Sequence, residues 1–174
     1  GQIAGVGFAL YCRLLEDTIN ALQEGKSPEE VLHDPTINMK LDAYIPDDFI
    51  DNPRYKLEIY RRLGSMKYEE REDFMDEIID RFGTPPKELV TLWRVAAIRA
   101  LCRDLVVDAV TARPGSLTIR FNPPSKANPD VIRDLVKEYV PRLTFSLTPV
   151  PQLVLRTTGP VSDALTFLEK NLHR

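Results

Sequence analysis

The sequence predicts an α+β fold, and three observations point to it. Apolar residues recur at helical spacing through the middle of the chain, they alternate with a period of two beyond Asp104, and no alternation of strand and crossover helix joins the two regions. Helices and strands are therefore segregated, which favours α+β over a doubly wound sheet. In order, the expected elements are an N-terminal connector helix, one strand, three consecutive helices and a ββαββα portion.

The first helix is read over residues 6–24, where Phe8, Tyr11, Cys12, Leu15, Ile19 and Leu22 keep helical spacing and Gly25 stands at the position of a C-terminal cap. A polar stretch from Gly25 to Thr36, with Pro28 and Pro35, reads as a linker, so a boundary is placed near residue 26 and the remainder, 27–174, is taken as a second domain. In INMKLDAY, residues 37–44, Ile37, Met39, Leu41 and Ala43 alternate with polar neighbours, the period of a half-buried strand. Asn52 followed by Pro53 is a cap and first-turn pair opening a helix that packs through Leu57, Tyr60 and Leu63, with Gly64 as its end. The next helix covers 68–82, with Phe74, Met75, Ile78, Ile79 and Phe82 inward and Gly83 closing it. Thr84 and Pro85 start a third, which runs to about Asp104 through Leu89, Leu92, Trp93, Ala96 and Ala100.

Beyond it, VVDAVTA and SLTIRF flank the turn pair Pro114 and Gly115 and form a hairpin. Asn128 and Pro129 repeat the capping device for a short helix reaching Tyr139. LTFSL and QLVLRT, separated by Pro149 and Pro151, are two further strands, and PVSDALTFLEKNL closes the chain as an amphipathic helix.

Composition bounds the function. The 174 residues, 43% of them hydrophobic, can bury about two thirds of their unfolded surface and fold without staples. Cys12 and Cys102 are far apart and neither has a cysteine neighbour, so metal knuckles and redox pairs are excluded and reduced thiols expected. No apolar run reaches the roughly 18 residues of a membrane span, and the first residues lack the marks of a signal peptide, which predicts a cytoplasmic protein without membrane contact. A formal net charge of -3 supplies no overall field for phosphate and points to protein partners.

Chemical motifs are missing. A phosphate cradle requires GxxxxGK[ST] or GxGxxG between strand and helix, and neither occurs. A serine nucleophile would want a histidine partner, but His33 lies in the linker and His173 beside the C-terminus. Asp47 and Asp48, after Pro46, read as turn residues rather than a general-acid pair, and Trp93 reads as core rather than a base-stacking platform with Tyr60 and Tyr68. No cofactor and no catalytic residue is expected.

Charge is the one feature that exceeds a bland surface. Residues 53–67 carry Arg54, Lys56, Arg61, Arg62 and Lys67 against Glu58, whereas residues 69–81 are dominated by acids. Neighbouring helices could simply neutralise each other, at about 0–1 kcal/mol per exposed pair. Alternatively Asp73, Glu77 and Asp80, spaced i, i+4 and i+7, present one acidic face to an arginine-bearing partner. A third reading makes Arg54, Lys56, Arg61 and Arg62 a nucleic-acid-binding stripe.

Four blocks, GQIAGVGFALYCRLLEDTI, AYIPDDFI, RYKLEIYRRL and EIIDRFGTPP, in this order and spacing, resemble the C-terminal part of the bacterial transcription-repair coupling factors (Mfd). The similarity spans nearly the whole chain and is looser after Asp104. It implies that residues 1–26 correspond to the helix leaving a helicase-like motor, and 27–174 to the family's terminal regulatory domain. The parent so implied is an ATP-driven DNA translocase that displaces stalled RNA polymerase at lesions and recruits the excision-repair protein UvrA, with its motor motifs outside this chain. The terminal domain is implied to pack on an amino-terminal UvrB-like module, to mask the surface UvrA uses, and to restrain the motor. By the same resemblance Glu77 and Asp80 meet arginines of that module; Asp73 joins them by helical spacing alone. The following TPP stands where family members vary.

Overall fold

The computed structural model describes residues 35–121 and 127–173. The expected helix at 6–24, the boundary near residue 26, Cys12 and His33 lie outside the described residues. The rest divides into a helical unit, residues 41–100, and a sheet unit built from residues 35–40 and 101–173.

In the helical unit, residues 41–44, the second half of the strand expected over 37–44, are not strand. Ala43 and Ile45 are buried, the Tyr44 amide donates to the Glu88 carbonyl (3.3 Å) and the Ile45 amide to the Tyr60 hydroxyl (3.1 Å). Those partners come from distant helices, and the local alternation could not show them. A turn follows in which Phe49 and Ile50 donate to the Pro46 carbonyl.

Helix α1, Pro53–Ser65, opens as expected: Asn52 Oδ1 accepts from the amides of Arg54 (2.9 Å) and Tyr55 (3.4 Å), and Pro53 occupies the first turn, where no amide is needed. Its buried residues are Ile59 and Leu63; Leu57 and Tyr60 are half-buried. Gly64 does not end the helix. The chain turns out at Met66, whose backbone is extended and whose side chain is buried, while Arg99 donates to the Gly64 carbonyl at 3.3 Å.

A 3₁₀ turn, Tyr68–Glu70, with Glu70 accepting from the Lys67 amide (3.0 Å), leads into α2, Arg71–Phe82. Phe74, Met75 and Ile78 face the core. Ile79, expected inward, is 45% exposed, because the inward arc is already filled by Ile78 and Met75. Gly83 closes the helix at φ +91°, a conformation a side chain would strain, and its amide donates to the Ile79 carbonyl at 2.9 Å.

Helix α3, Lys87–Asp104, starts later than expected from Thr84 and Pro85. Pro85 precedes another proline, which bars it from helical dihedrals, and Pro86 supplies the carbonyl to which Leu89 and Val90 donate. Leu89 and Leu92 are fully buried; Trp93 is half-buried and its indole N–H donates to the Arg71 carbonyl at 2.7 Å, fastening α3 to the start of α2.

The sheet unit holds five strands among the described residues, β1 (Thr36–Met39), β2 (Val107–Arg113), β3 (Ser116–Phe121), β4 (Leu143–Ser146) and β5 (Gln152–Arg156), in the order β1-β2-β3-β5-β4. β1 pairs parallel with β2, from Thr36 opposite Ala109 to Met39 opposite Ala112, and every other pairing is antiparallel. The β2–β3 hairpin turns at Gly115, φ +93°. Strict alternation buries Leu117, Ile119 and Phe121 on β3 and Leu153 and Leu155 on β5, on one face of the sheet. Helix α4 (Pro129–Glu138), capped by Asn128 Oδ1 on the Asp130 amide (2.9 Å), packs on β4, and α5 (Val161–Asn171) packs on β2 through an apolar stripe that includes Ala164, Leu165 and Leu168. The α+β class and the ββαββα order are thus as the sequence predicts.

Candidate functional site

Helix α2 divides its surface between the core and a run of acids. Phe74, Met75 and Ile78 are the buried residues of α2, so the carboxylates at 72, 73, 76, 77 and 80 fall on its remaining surface. They do not share one environment.

Glu77 is engaged inside the molecule. Its Oε2 accepts from Arg62 Nη2 at 2.5 Å, and its Oε1 stands 3.7 Å from Arg81 Nη1, which in turn lies 3.5 Å from Glu58 Oε1. The Arg62 hydrogen bond holds the Glu77 carboxyl below the usual carboxylate range, against the opposing effect of desolvation, and the same bond raises the Arg62 guanidinium. Both arginines also stack: Arg62 lies 5.1 Å from the Phe74 ring centre, and Arg81 4.9 Å from that of Phe82 and 5.8 Å from that of Tyr55. The chain Arg62–Glu77–Arg81–Glu58 therefore straps α1 to α2, so neutralisation between the basic and acidic helices does occur at these residues.

Asp73, Asp76 and Asp80 are different. All three are exposed, and among the described residues none forms an ion pair or accepts a side-chain hydrogen bond. Glu72 Oε1 lies 3.6 Å from Arg71 Nε. Asp73 and Glu77 rim one shallow depression of about 330 Å³, floored by Met66 and Phe74, with Arg62 beside it; Asp80 lies outside it, a turn farther along. The three acids singled out in the sequence thus stand on one helix, but Glu77 is half-committed and Asp73 and Asp80 are not.

The basic stripe is diluted. Arg54 and Arg61 are exposed, whereas Lys56 is paired with Asp47 and Arg62 with Glu77. Asp47 thus has a cationic partner in α1, and Asp48 stands exposed in the same turn. Burial pushes the Cys102 thiol up to about 12, so it supplies no thiolate near neutral pH. Among the described residues no three His, Cys, Asp or Glu side chains converge as a metal set, and no helix is long and apolar enough to cross a membrane.

The residue that spacing misplaced is Ile79. The available signal was that Ile79 lies next to Asp80 in sequence and so at the margin of the apolar arc.

Comparison with known proteins agrees with this architecture. The family model of the TRCF domain matches residues 39–132. A transcription-repair-coupling factor of Rickettsia typhi is 37% identical over 122 residues, 70% of this chain and 11% of that protein. Those of Haemophilus influenzae and Escherichia coli are 31% and 32% identical over 142 and 133 residues, 79% and 74% of this chain and 12% of each relative. The chain therefore spans only about an eighth to a ninth of the relatives it matches. A crystal structure of a C-terminal domain of transcription-repair coupling factor superposes with a TM-score of 0.70, covering 81% of this chain and 92% of that one at 19% identity, which supports the fold. The chain belongs to the TRCF-domain family of the transcription-repair-coupling factors.

Proposed function

We propose that this chain is a non-catalytic regulatory domain, residues 27–174, preceded by a connector, residues 1–26, that leaves the motor of a larger coupling factor. The domain closes on the UvrB-like amino-terminal module of its parent, masks the surface used by UvrA and restrains DNA translocation until RNA polymerase is engaged. Its setting is the bacterial cytoplasm. The parent, an ATP-driven DNA translocase, displaces the stalled polymerase and hands the lesion to excision repair.

The observation that carries this reading is the row of exposed carboxylates on α2 without a cation of their own among the described residues, Asp73, Asp76 and Asp80, beside a Glu77 already oriented by Arg62 and Arg81. Arginines on a partner surface can pair with these acids, and Glu77 Oε1 keeps acceptor capacity because its bond to Arg81 is long. Such pairs set register and partner choice more than raw affinity. The nucleic-acid reading is weaker, since two of its four cations are occupied by Asp47 and Glu77.

The test is charge reversal in the full-length factor. Glu77→Lys combined with Asp80→Lys is expected to raise UvrA binding by several-fold, and unchanged UvrA affinity overturns the proposal. Duplex DNA retarded by this chain at low salt would instead support the basic stripe.

A further inference from the structure

Ile79 stands at the border between the apolar and the acidic sides of α2 and is 45% exposed. At about 100° per residue it lies roughly 40° from Met75 and 60° from Phe82 on its apolar side, and roughly 60° from Asp76 and 100° from Asp80 on its acidic side. Isoleucine is a poorer helix former than Glu or Lys, so helix propensity does not account for an Ile that is 45% exposed in the third turn of α2. It is also not isolated. One turn on, the Phe82 ring lies 6.2 Å from Phe49 and 6.4 Å from Tyr55, and Tyr55 is itself 43% exposed. Tyr55 and Ile79 are the exposed large apolar residues among the described residues of the helical unit. The Arg81 guanidinium is drawn over the Phe82 and Tyr55 rings, where Glu58 and Glu77 hold it.

An apolar centre ringed by charge is the anatomy of a binding hot spot, where water exclusion at the middle strengthens the charged pairs at the edge. We infer that Ile79, flanked by Phe82 and Tyr55, is the apolar anchor of the docking face, inserting against an aliphatic or aromatic side chain of the amino-terminal module that is bordered by arginine or lysine. Charge complementarity sets the chemistry of the occupant, and the regulatory reading supplies its identity: the anchor is edged by Asp76 and Asp80, which are exposed and have no cation among the described residues, so an acidic or neutral apolar surface would be repelled or left unpaired. The inference rests on the regulatory reading, and assigns the main energetic role to the apolar residue while the acids supply register.

The test titrates the separately produced UvrB-like module of the parent factor against this chain by calorimetry. Ile79→Ala is expected to weaken binding by about tenfold or more and Ile79→Glu further, whereas Leu147→Ala, at a 68% exposed apolar position of the sheet unit, leaves it unchanged. Thermal unfolding of Ile79→Ala should match that of the parent chain, which separates lost contact from lost fold. If Asp80→Lys weakens binding and Ile79→Ala does not, the anchor is wrong and the regulatory reading stands. If the unsubstituted chain does not bind the module, both fall.

Discussion

Glu77 shows how a single carboxylate can serve the fold and leave its neighbours for another purpose. Arg62 takes one oxygen at 2.5 Å and keeps the group ionised below the usual carboxylate range. A group whose folded-state value is depressed adds stability that is fully present above the unfolded-state value, near 4.3 for glutamate, and lost as pH falls through the lower folded-state value. Glu77→Gln keeps the shape and an acceptor for Arg62 but not the charge. Thermal midpoints of the two proteins are therefore expected to differ above the unfolded-state value and to converge as pH falls through the lower folded-state value. A gap independent of pH would show that the charge of this pair contributes nothing.

Helix α1 is positioned by a cap whose strength can be measured. Asn52 Oδ1 holds two first-turn amides, and its replacement by alanine should cost about 0.5–2 kcal/mol, read as a lower urea midpoint at unchanged slope. A loss below this range would mean that packing of Ile59 and Leu63 alone orders the helix. Caps of this kind are local, which is why the Asn52–Pro53 and Asn128–Pro129 starts, the Gly83 stop and the Gly115 hairpin were all legible in the sequence. What was not legible came from distant partners. β1 is shorter than its alternation because Tyr44 and Ile45 bond to Glu88 and Tyr60; Gly64 stays helical while Arg99 meets its carbonyl; the start of α3 is set back by the Pro85–Pro86 pair. At the candidate site, helical spacing placed Asp73, Glu77 and Asp80 on one side of α2. It could not show that α1 brings Arg62 to Glu77, or that Ile78 and Met75 leave Ile79 outside.

For the molecule as a whole, the regulatory reading sets limits on how strong the contact can be. A domain tethered to its target by the same chain sees it at an effective concentration on the order of 1 mM, so a dissociation constant of about 30 µM between separate pieces would keep the tethered contact closed about 30:1. A tenfold weakening by loss of Ile79 or Asp80 would then leave it closed only about 3:1, enough to expose the masked surface for a competitor. A much tighter contact could not be opened by rearrangement of the motor, and a much weaker one would never close. Titration of this chain with the separate amino-terminal module is accordingly expected to give a dissociation constant of roughly 10–100 µM near 0.1 M salt. Raising the salt toward 1 M, where the screening length falls from about 10 Å to about 3 Å, should weaken it several-fold without abolishing it, because the carboxylate pairs are screened and the apolar anchor is not. A submicromolar constant, or binding wholly insensitive to salt, would remove the detachable charged contact on which the proposed regulation depends.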